Sequence, residues 1–300
     1  MQEITSVQEA INLIVGNDSE FGKFIKKSPL MPFWFRGQSN FEWELVPGVF
    51  RKDLSNDYLY DEYNMLMELR ILYPDEFNKC STTLEWLVLV QHYGLPTRIL
   101  DWTESILIAL YFASQDEQVD GRLAVLKPDQ LNSHSSMSRQ RFILMADDPD
   151  TILRADQSVA PIYNLLWARF TKRFEGDYFS KLFEKIGEDR IKEIINLPIA
   201  VYPPRNNPRV TMQSGTFTLH GGSVPSFTTR KNDFGNPVSL DDLNGEFGII
   251  INYLIPKDAK TKIQEDLKRL GIHQASLFPE FDYQTQYIKQ KWKRGNQFLE

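Results

Sequence analysis

Arg36 follows a short aromatic run, Phe33-Trp34-Phe35, and precedes Gly37-Gln38. A guanidinium offers a planar fork of donors that suits phosphate or carboxylate, and a glycine beside it lets backbone approach a ligand closely. The second candidate stretch is Gln91-His92-Tyr93-Gly94-Leu95-Pro96-Thr97-Arg98-Ile99-Leu100-Asp101-Trp102-Thr103, which sets polar side chains between two apolar segments. Buried there, they must satisfy one another or a ligand, because desolvating an unpaired polar group is costly. Two readings stay open. In one, Arg98 pairs with Asp101, Gln91 ties the segment to backbone, and the network is structural; in the other, the stretch is a ligand-facing wall with Arg98 as a second anion clamp. Tyr93, Trp34 or Tyr111 then offer a ring to stack on a heterocycle.

Elements must hold these groups in place. Ile4, Val7, Ile11 and Ile14 recur at helical spacing up to Gly16, with Ser6 and Glu9 as a capping box. Residues 33–38 read as a strand, and 58–73 as an acid-rich helix closed by Pro74. Leu84 to Tyr93 reads as a helix buried on most sides, boxed by Thr82 and Glu85 and ended by Gly94, so that Gln91 and His92 occupy its last turn. Thr97 to Trp102 is expected to connect it to a second apolar helix, Glu104 to Ala113, capped by Thr103. Strands are expected at 121–126, 199–202, 210–220 and 247–255, a helix through Ile263, Leu267 and Leu270 up to Gly271, and a last helix from Pro279 to Trp292.

The expected architecture is α+β, with residues 1–126 and 198–300 forming a mixed or antiparallel sheet core flanked by helices and 127–197 an inserted helical lobe. The 34 Lys+Arg against 40 Asp+Glu leave a net charge of -6, which argues against a broadly basic nucleic-acid binder. Tyr287 to Arg294 is the local exception, interleaving aromatics with four cations; it reads as a polyanion contact or simply as a solvated helix face. One cysteine, Cys80, the lack of a signal-peptide pattern and apolar runs too short to span a bilayer point to a cytoplasmic chain without a membrane partner. There is no dinucleotide glycine fingerprint, phosphate loop or nucleophile elbow, and the separated histidines 92, 134, 220 and 273 give no expectation of a metal.

Several segments together resemble the FRG domain family: Phe35-Arg36-Gly37, Pro47-Gly48-Val49-Phe50-Arg51, the run 91–103 and Ala109-Leu110-Tyr111-Phe112-Ala113. Asn207-Pro208-Arg209 with Gln213-x-Gly-x-Phe217, and Leu270-Gly-Ile with Ser276-Leu277-Phe278-Pro279, fit the same pattern. The resemblance covers about residues 30–126 and 199–292 and brings no established activity with it. A weaker similarity is to ADP-ribosyltransferases of the Arg-Ser-Glu type. Those begin their site on an aromatic-Arg-Gly strand end, continue with a Ser/Thr motif opening an Ala-x-x-Phe helix, and finish with a glutamate on a late strand. Arg36, Thr103 with Glu104-Ser105 before Ala109 and Phe112, and Gln213 match in that order, with Gln213 departing from glutamate.

This similarity implies an ADP-ribosyltransferase-like core and NAD as substrate. Arg36, Gly37, Gln38, His92, Tyr93, Arg98 and Tyr111 would hold it, and Arg36, Asp101, Thr103, Gln213 and Glu280 would act on it. Asp101 is favoured over Glu280 as the acid a neutral Gln213 cannot replace, Glu280 reading also as a first-turn residue of the last helix. The implied partner is a macromolecular acceptor, RNA or protein. The context such transferases suggest is a bacterial toxin or antiphage effector with a neutralising antitoxin. Two rivals stand beside this reading: a non-enzymatic nucleotide or nucleic-acid sensing module of a defence system, and a nuclease or other hydrolase using His92, Asp101 and Glu280.

Overall fold

The computed structural model describes residues 1–16, 33–52, 60–80, 83–135, 144–145, 197–203, 205, 207–221, 238–243 and 248–293. Seven strands form one sheet: β1 (Trp34–Gln38), β2 (Ile99–Thr103), β3 (Gly121–Leu126), β4 (Leu144–Met145), β5 (Ile199–Tyr202), β6 (Gly215–Leu219) and β7 (Ile250–Ile255), in the order β4-β5-β6-β2-β1-β3-β7. Six of them run antiparallel to their neighbours, and β4 adds a parallel edge on β5. The helices are α1 (Val7–Val15), α2 (Glu62–Leu72), α3 (Pro74–Asn78), α4 (Thr83–His92), α5 (Ile106–Ala113), α6 (Pro128–His134), α7 (Pro208–Met212), α8 (Lys257–Arg269), α9 (Gln274–Leu277) and α10 (Phe281–Lys291).

The period-2 alternation of the strands divides the core between the two faces of the sheet. Phe35, Leu123, Val125, Tyr253 and Ile255 pack under α1, α5 and α8 with Ala109, Leu110, Ile263 and Leu267. On the opposite face Trp34, Leu100, Trp102, Ala124 and Leu126 pack with Leu131 of α6 and with Leu240 and Leu243. β1 sits at the centre, and α5 crosses it so closely that a Cβ on Gly37 would lie 1.8 Å from the Ala109 carbonyl oxygen and 2.6 Å from the Ala113 nitrogen. The glycine beside Arg36 is therefore required by helix packing, a reason different from the ligand approach expected of it.

Local signals explain several elements, and the differences from expectation have physical causes. Ser6 Oγ accepts from the Glu9 N–H at 3.2 Å as a helix cap, while the Glu9 carboxylate turns back to Thr5. Pro74 follows the end of α2, which stops at Leu72 with Tyr73 as its cap, and it also opens α3, where a residue without an N–H is well placed. Pro128 opens α6 in the same way. α6 is tied to the sheet through Asn132, which exchanges hydrogen bonds with both backbone groups of Ala200, and Ser135, which donates to Pro198. Residues 146–196 of the expected lobe, Thr82 of the expected capping box and Arg294 lie outside the described residues.

Thr97 to Thr103 is not a connection between helices. Its second half is β2, paired along its whole length with β6 and through Thr103 with Phe35 of β1. The expected strand over 210–220 is instead the short helix α7, a turn at Ser214 with φ 45°, and β6. α5 begins at Ile106 after Ser105, with Thr103 Oγ1 accepting from the Ser105 N–H, and α10 begins at Phe281. No described helix is long and apolar enough to cross a membrane.

Candidate functional site

A cleft of about 260 Å3 opens where β1, β2 and the start of β6 meet α4, α5 and α7. Phe35, Trp102, Ile108, Phe112 and Phe217 give it apolar walls, and Arg36, Gln91, His92, Asp101, Thr103, Arg209 and Gln213 give it polar groups. The sheet order explains the convergence. Arg36 lies in β1, Asp101 and Thr103 lie in the adjacent β2, and Gln213 ends α7 two residues before β6, which pairs with β2.

Arg36 is the buried cation of this cleft, which Arg209 also lines. Its Nη1 donates to the Asp101 carbonyl oxygen at 2.6 Å and lies 3.9 Å from the Asp101 carboxylate, which is 62% exposed. Its Nε is buried without a hydrogen-bond partner among the described residues. Burial lowers its pKa to about 10 and the Arg51 charge adds to the fall, while Asp101 opposes both. Arg36 remains a cation at neutral pH but carries uncompensated desolvation, the condition in which an incoming anion gains most. Asp101 is steadied by Gln91, whose Nε2 donates to its Oδ1 at 2.8 Å, and the Gln91 side-chain Oε1 accepts from the Thr97 hydroxyl. Gln91 thus binds side chains, where backbone was expected.

Thr103 and Gln213 both line the cleft but are bound elsewhere. The Thr103 hydroxyl donates to the Gln213 carbonyl oxygen at 2.7 Å, and the Gln213 Nε2 donates to the Leu277 carbonyl oxygen at 3.2 Å. They lock the turn between α7 and β6 to the end of β2 and to α9.

A second cleft of about 540 Å3 adjoins the first and shares Val88, His92, Asn207 and Arg209 with it. Glu280 stands on its wall as the residue before α10, where its side chain makes no cap. Both carboxylate oxygens are buried and neither has a hydrogen-bond partner among the described residues. His92 Nε2 is 3.5 Å from Oε1, and Arg209 Nη1 is 3.9 Å from the same oxygen. Burial lowers the His92 pKa, with Glu280 opposing and Arg209 adding to the shift, so this imidazole is neutral at neutral pH. Arg209 lies over the Phe278 ring at 4.6 Å, and Asn207 caps α7 by accepting from the Arg209 and Val210 N–H groups.

Four candidates from the sequence are placed elsewhere. Arg98 is no clamp and does not pair with Asp101. It is 3% exposed, and Glu62 of α2 accepts from its backbone N–H at 2.8 Å and its Nε at 2.6 Å, with Nη2 at 2.5 Å from Glu62 Oε2. Gln38 is buried and donates to the Glu44 carbonyl oxygen at 3.3 Å, and it lines neither cleft. Tyr111 packs into the apolar clusters on either side of α5; its neighbour Phe112 is the ring that reaches the cleft. Tyr93 is 74% exposed and lines only the second cleft. The sequence also left Arg209 outside the site; its place in an Asn-Pro-Arg cap was the available signal.

Glu104, beside Thr103, is occupied by Tyr202, whose hydroxyl donates to it at 2.7 Å, and by Arg205 at 2.6 Å. His220, which reads as a turn marker, follows β6 fully buried, with Nε2 2.9 Å from the Thr218 hydroxyl and its pKa pushed down to about 3 by burial. Among the described residues no three His, Cys, Asp or Glu side chains come together as a metal site.

Residues 31–121 match the family model of the FRG domain. The matched span contains Arg36, His92, Asp101 and Thr103, while Arg209, Gln213 and Glu280 come from beyond it. Comparison with curated proteins and with solved structures found no match.

Proposed function

We propose that the cleft binds NAD and that the protein transfers ADP-ribose to a macromolecular acceptor. The observation that carries this reading is the meeting of Arg36, Thr103 and Gln213 in one cleft, in the chain order that the similarity to Arg-Ser-Glu transferases implies, although Gln213 ends α7 and does not lie on a late strand. At about 260 Å3 the cleft lies near the lower end of ligand sites, roughly 300–1,000 Å3, and so takes the half of a dinucleotide at which the bond breaks. The buried, unpartnered Nε of Arg36 fits a pyrophosphate oxygen, with Arg51 reinforcing the positive field on that side. Phe112 and Phe217 offer rings to the nicotinamide.

Cleaving the nicotinamide–ribose bond develops positive charge on the sugar, which fixed acceptors nearby stabilise. Asp101 is charged but exposed and already bound by Gln91. Glu280 has two buried oxygens that accept no hydrogen bond among the described residues, with a neutral His92 beside it and Arg209 Nη1 3.9 Å away. It is therefore the better base. Gln213 orients rather than abstracts a proton, since an amide has no basic site near neutral pH.

A second reading, a nucleotide-sensing module without turnover, is favoured by the commitment of the Thr103 hydroxyl and the Gln213 amide nitrogen to backbone. Calorimetric titration with NAD separates these readings from the alternative of no nucleotide site. The parent is expected to bind, and Arg36→Ala to lose at least about tenfold in affinity, equivalent to ~1.4 kcal/mol, while melting cooperatively. Equal affinity in the folded variant removes Arg36 from the site. Binding with neither nicotinamide release nor transfer selects the sensing module.

A further inference from the structure

The reading above takes only Glu280 from the second cleft, which adjoins the first beside that buried carboxylate, neither of whose oxygens accepts a hydrogen bond among the described residues. The two clefts share Val88, His92, Asn207 and Arg209, and Glu280 faces the shared wall. Pyrophosphate belongs on the Arg36 and Arg51 side, since passing into the second cleft would bring its charge against Glu280. What enters from that side must tolerate, and use, an anion.

The wall chemistry narrows the occupant. Leu89, Tyr93, Pro208 and Pro279 supply apolar surface. Three carboxylates, Glu76, Glu85 and Glu280, stand against two cations, Lys79 and Arg209, and Lys79 is paired with Glu76 at 2.7 Å. A nucleic-acid track needs surplus Lys or Arg for phosphates, and this groove has none. Mixed apolar and balanced polar surface of this kind matches a polypeptide segment.

We infer that the second cleft is the acceptor groove, that it seats a segment of a protein substrate, and that Glu280 takes the proton from the nucleophilic side chain delivered there. This rests on the NAD reading of the first cleft. In the step, the acceptor heteroatom forms a bond to the ribose C1′, and the C1′–N bond to nicotinamide breaks. Its electron pair goes to the ring nitrogen, neutralising the pyridinium, and the acceptor's proton goes to a Glu280 oxygen. No other reactant is needed.

The chain provides its own probe. Cys80 is the one cysteine in the sequence and it lines this groove without touching the first cleft. Its thiol is half-buried and burial raises its pKa to about 11, so modification is slow but confined to one site. A bulky methanethiosulfonate, applied in mildly alkaline buffer and removable by reductant, fills the groove without any substitution. Labelled NAD is then supplied with a cell extract, and nucleotide affinity and protein-bound label are measured separately.

The expected result is affinity within about twofold of the unmodified protein and a loss of at least about tenfold in protease-sensitive label, restored by reductant and absent in a treated Cys80→Ser variant. Label transferred equally well with the groove filled overturns the inference, as does label that only nuclease removes. Loss of nucleotide affinity on filling would make the groove part of the NAD site and also overturn it. If the unmodified protein binds NAD but labels no protein in extracts, the acceptor assignment fails. If the unmodified protein binds no NAD, the reading of the first cleft fails instead.

Discussion

The pair Glu62–Arg98 offers a quantitative test of how β2 is positioned. Arg98 is 3% exposed and its guanidinium and backbone N–H both end on the Glu62 carboxylate, while its carbonyl oxygen accepts from the His220 N–H at 3.1 Å. Glu62→Gln removes the countercharge and leaves a buried cation, which is expected to cost about 3–5 kcal/mol. With an unfolding entropy of roughly 2.1 cal/mol/K per residue, that is a fall of about 5–8 °C in Tm for a cooperative unit of this size. Asp101→Asn alters a carboxylate that is 62% exposed and 3.9 Å from Arg36, and is expected to cost no more than about 1 kcal/mol. Replacing both partners, Glu62→Leu with Arg98→Met, removes both charges together and is expected to recover most of the loss. Urea melts of the parent, Glu62→Leu, Arg98→Met and the double variant give the coupling energy directly. A loss below about 1 kcal/mol for Glu62→Gln, or an equal loss for Asp101→Asn, would refute the pairing and the account of β2 that depends on it.

Other consequences are equally concrete. Gly37→Ala drives a Cβ to 1.8 Å from the Ala109 carbonyl oxygen, so a destabilisation at or above about 3 kcal/mol is expected by thermal or urea melting; a normal melt would mean that α5 does not lie on β1 as described. His220 is neutral in the fold with its pKa near 3, so the unfolded chain binds the extra proton as pH falls below 6.5. Stability should then drop by up to about 1.4 kcal/mol per pH unit from this residue alone, a slope His220→Gln removes; parallel pH profiles would contradict it. His92 carries a lowered pKa as well, and its protonation places a charge against Glu280 and weakens that base, so transfer should fail on an acid limb below 6.5. A pH profile of transfer unchanged in His92→Gln would detach His92 from the chemistry.

What the sequence disclosed follows from how local each signal is. The limits of α1, β3 and β5 are visible because apolar spacing and caps act within a few residues, and Gly94 ends α4 at φ +92° as its place requires. β2 was hidden because four of its five residues are buried, with Asp101 alone exposed, and polar residues precede it, so no period-2 alternation shows. Asn207-Pro208 is a cap followed by a first-turn proline, but the β-branched Val210 and Thr211 beyond it resemble the start of a strand. The stretches holding Arg36, Asp101 and Thr103 were legible through the FRG likeness, and Gln213, beyond the matched span, joins them through the pairing of β2 with β6. The partner of Arg98 was not: Asp101 is three residues away and Glu62 is 36, and sequence proximity ranks the wrong one first. Glu280 likewise read as a helix-start acid, although it caps nothing and faces a histidine from α4.

The central claim is that Arg36 and Glu280 serve one reaction from opposite sides of a shared wall. Incubation of the protein with labelled NAD and a cell extract, followed by separate protease and nuclease digestion, tests it most directly when run beside Arg36→Ala and Glu280→Gln. The account predicts protease-sensitive label for the parent, loss of both NAD binding and label in Arg36→Ala, and retained NAD binding with lost label in Glu280→Gln. Full transfer by either folded variant would contradict it.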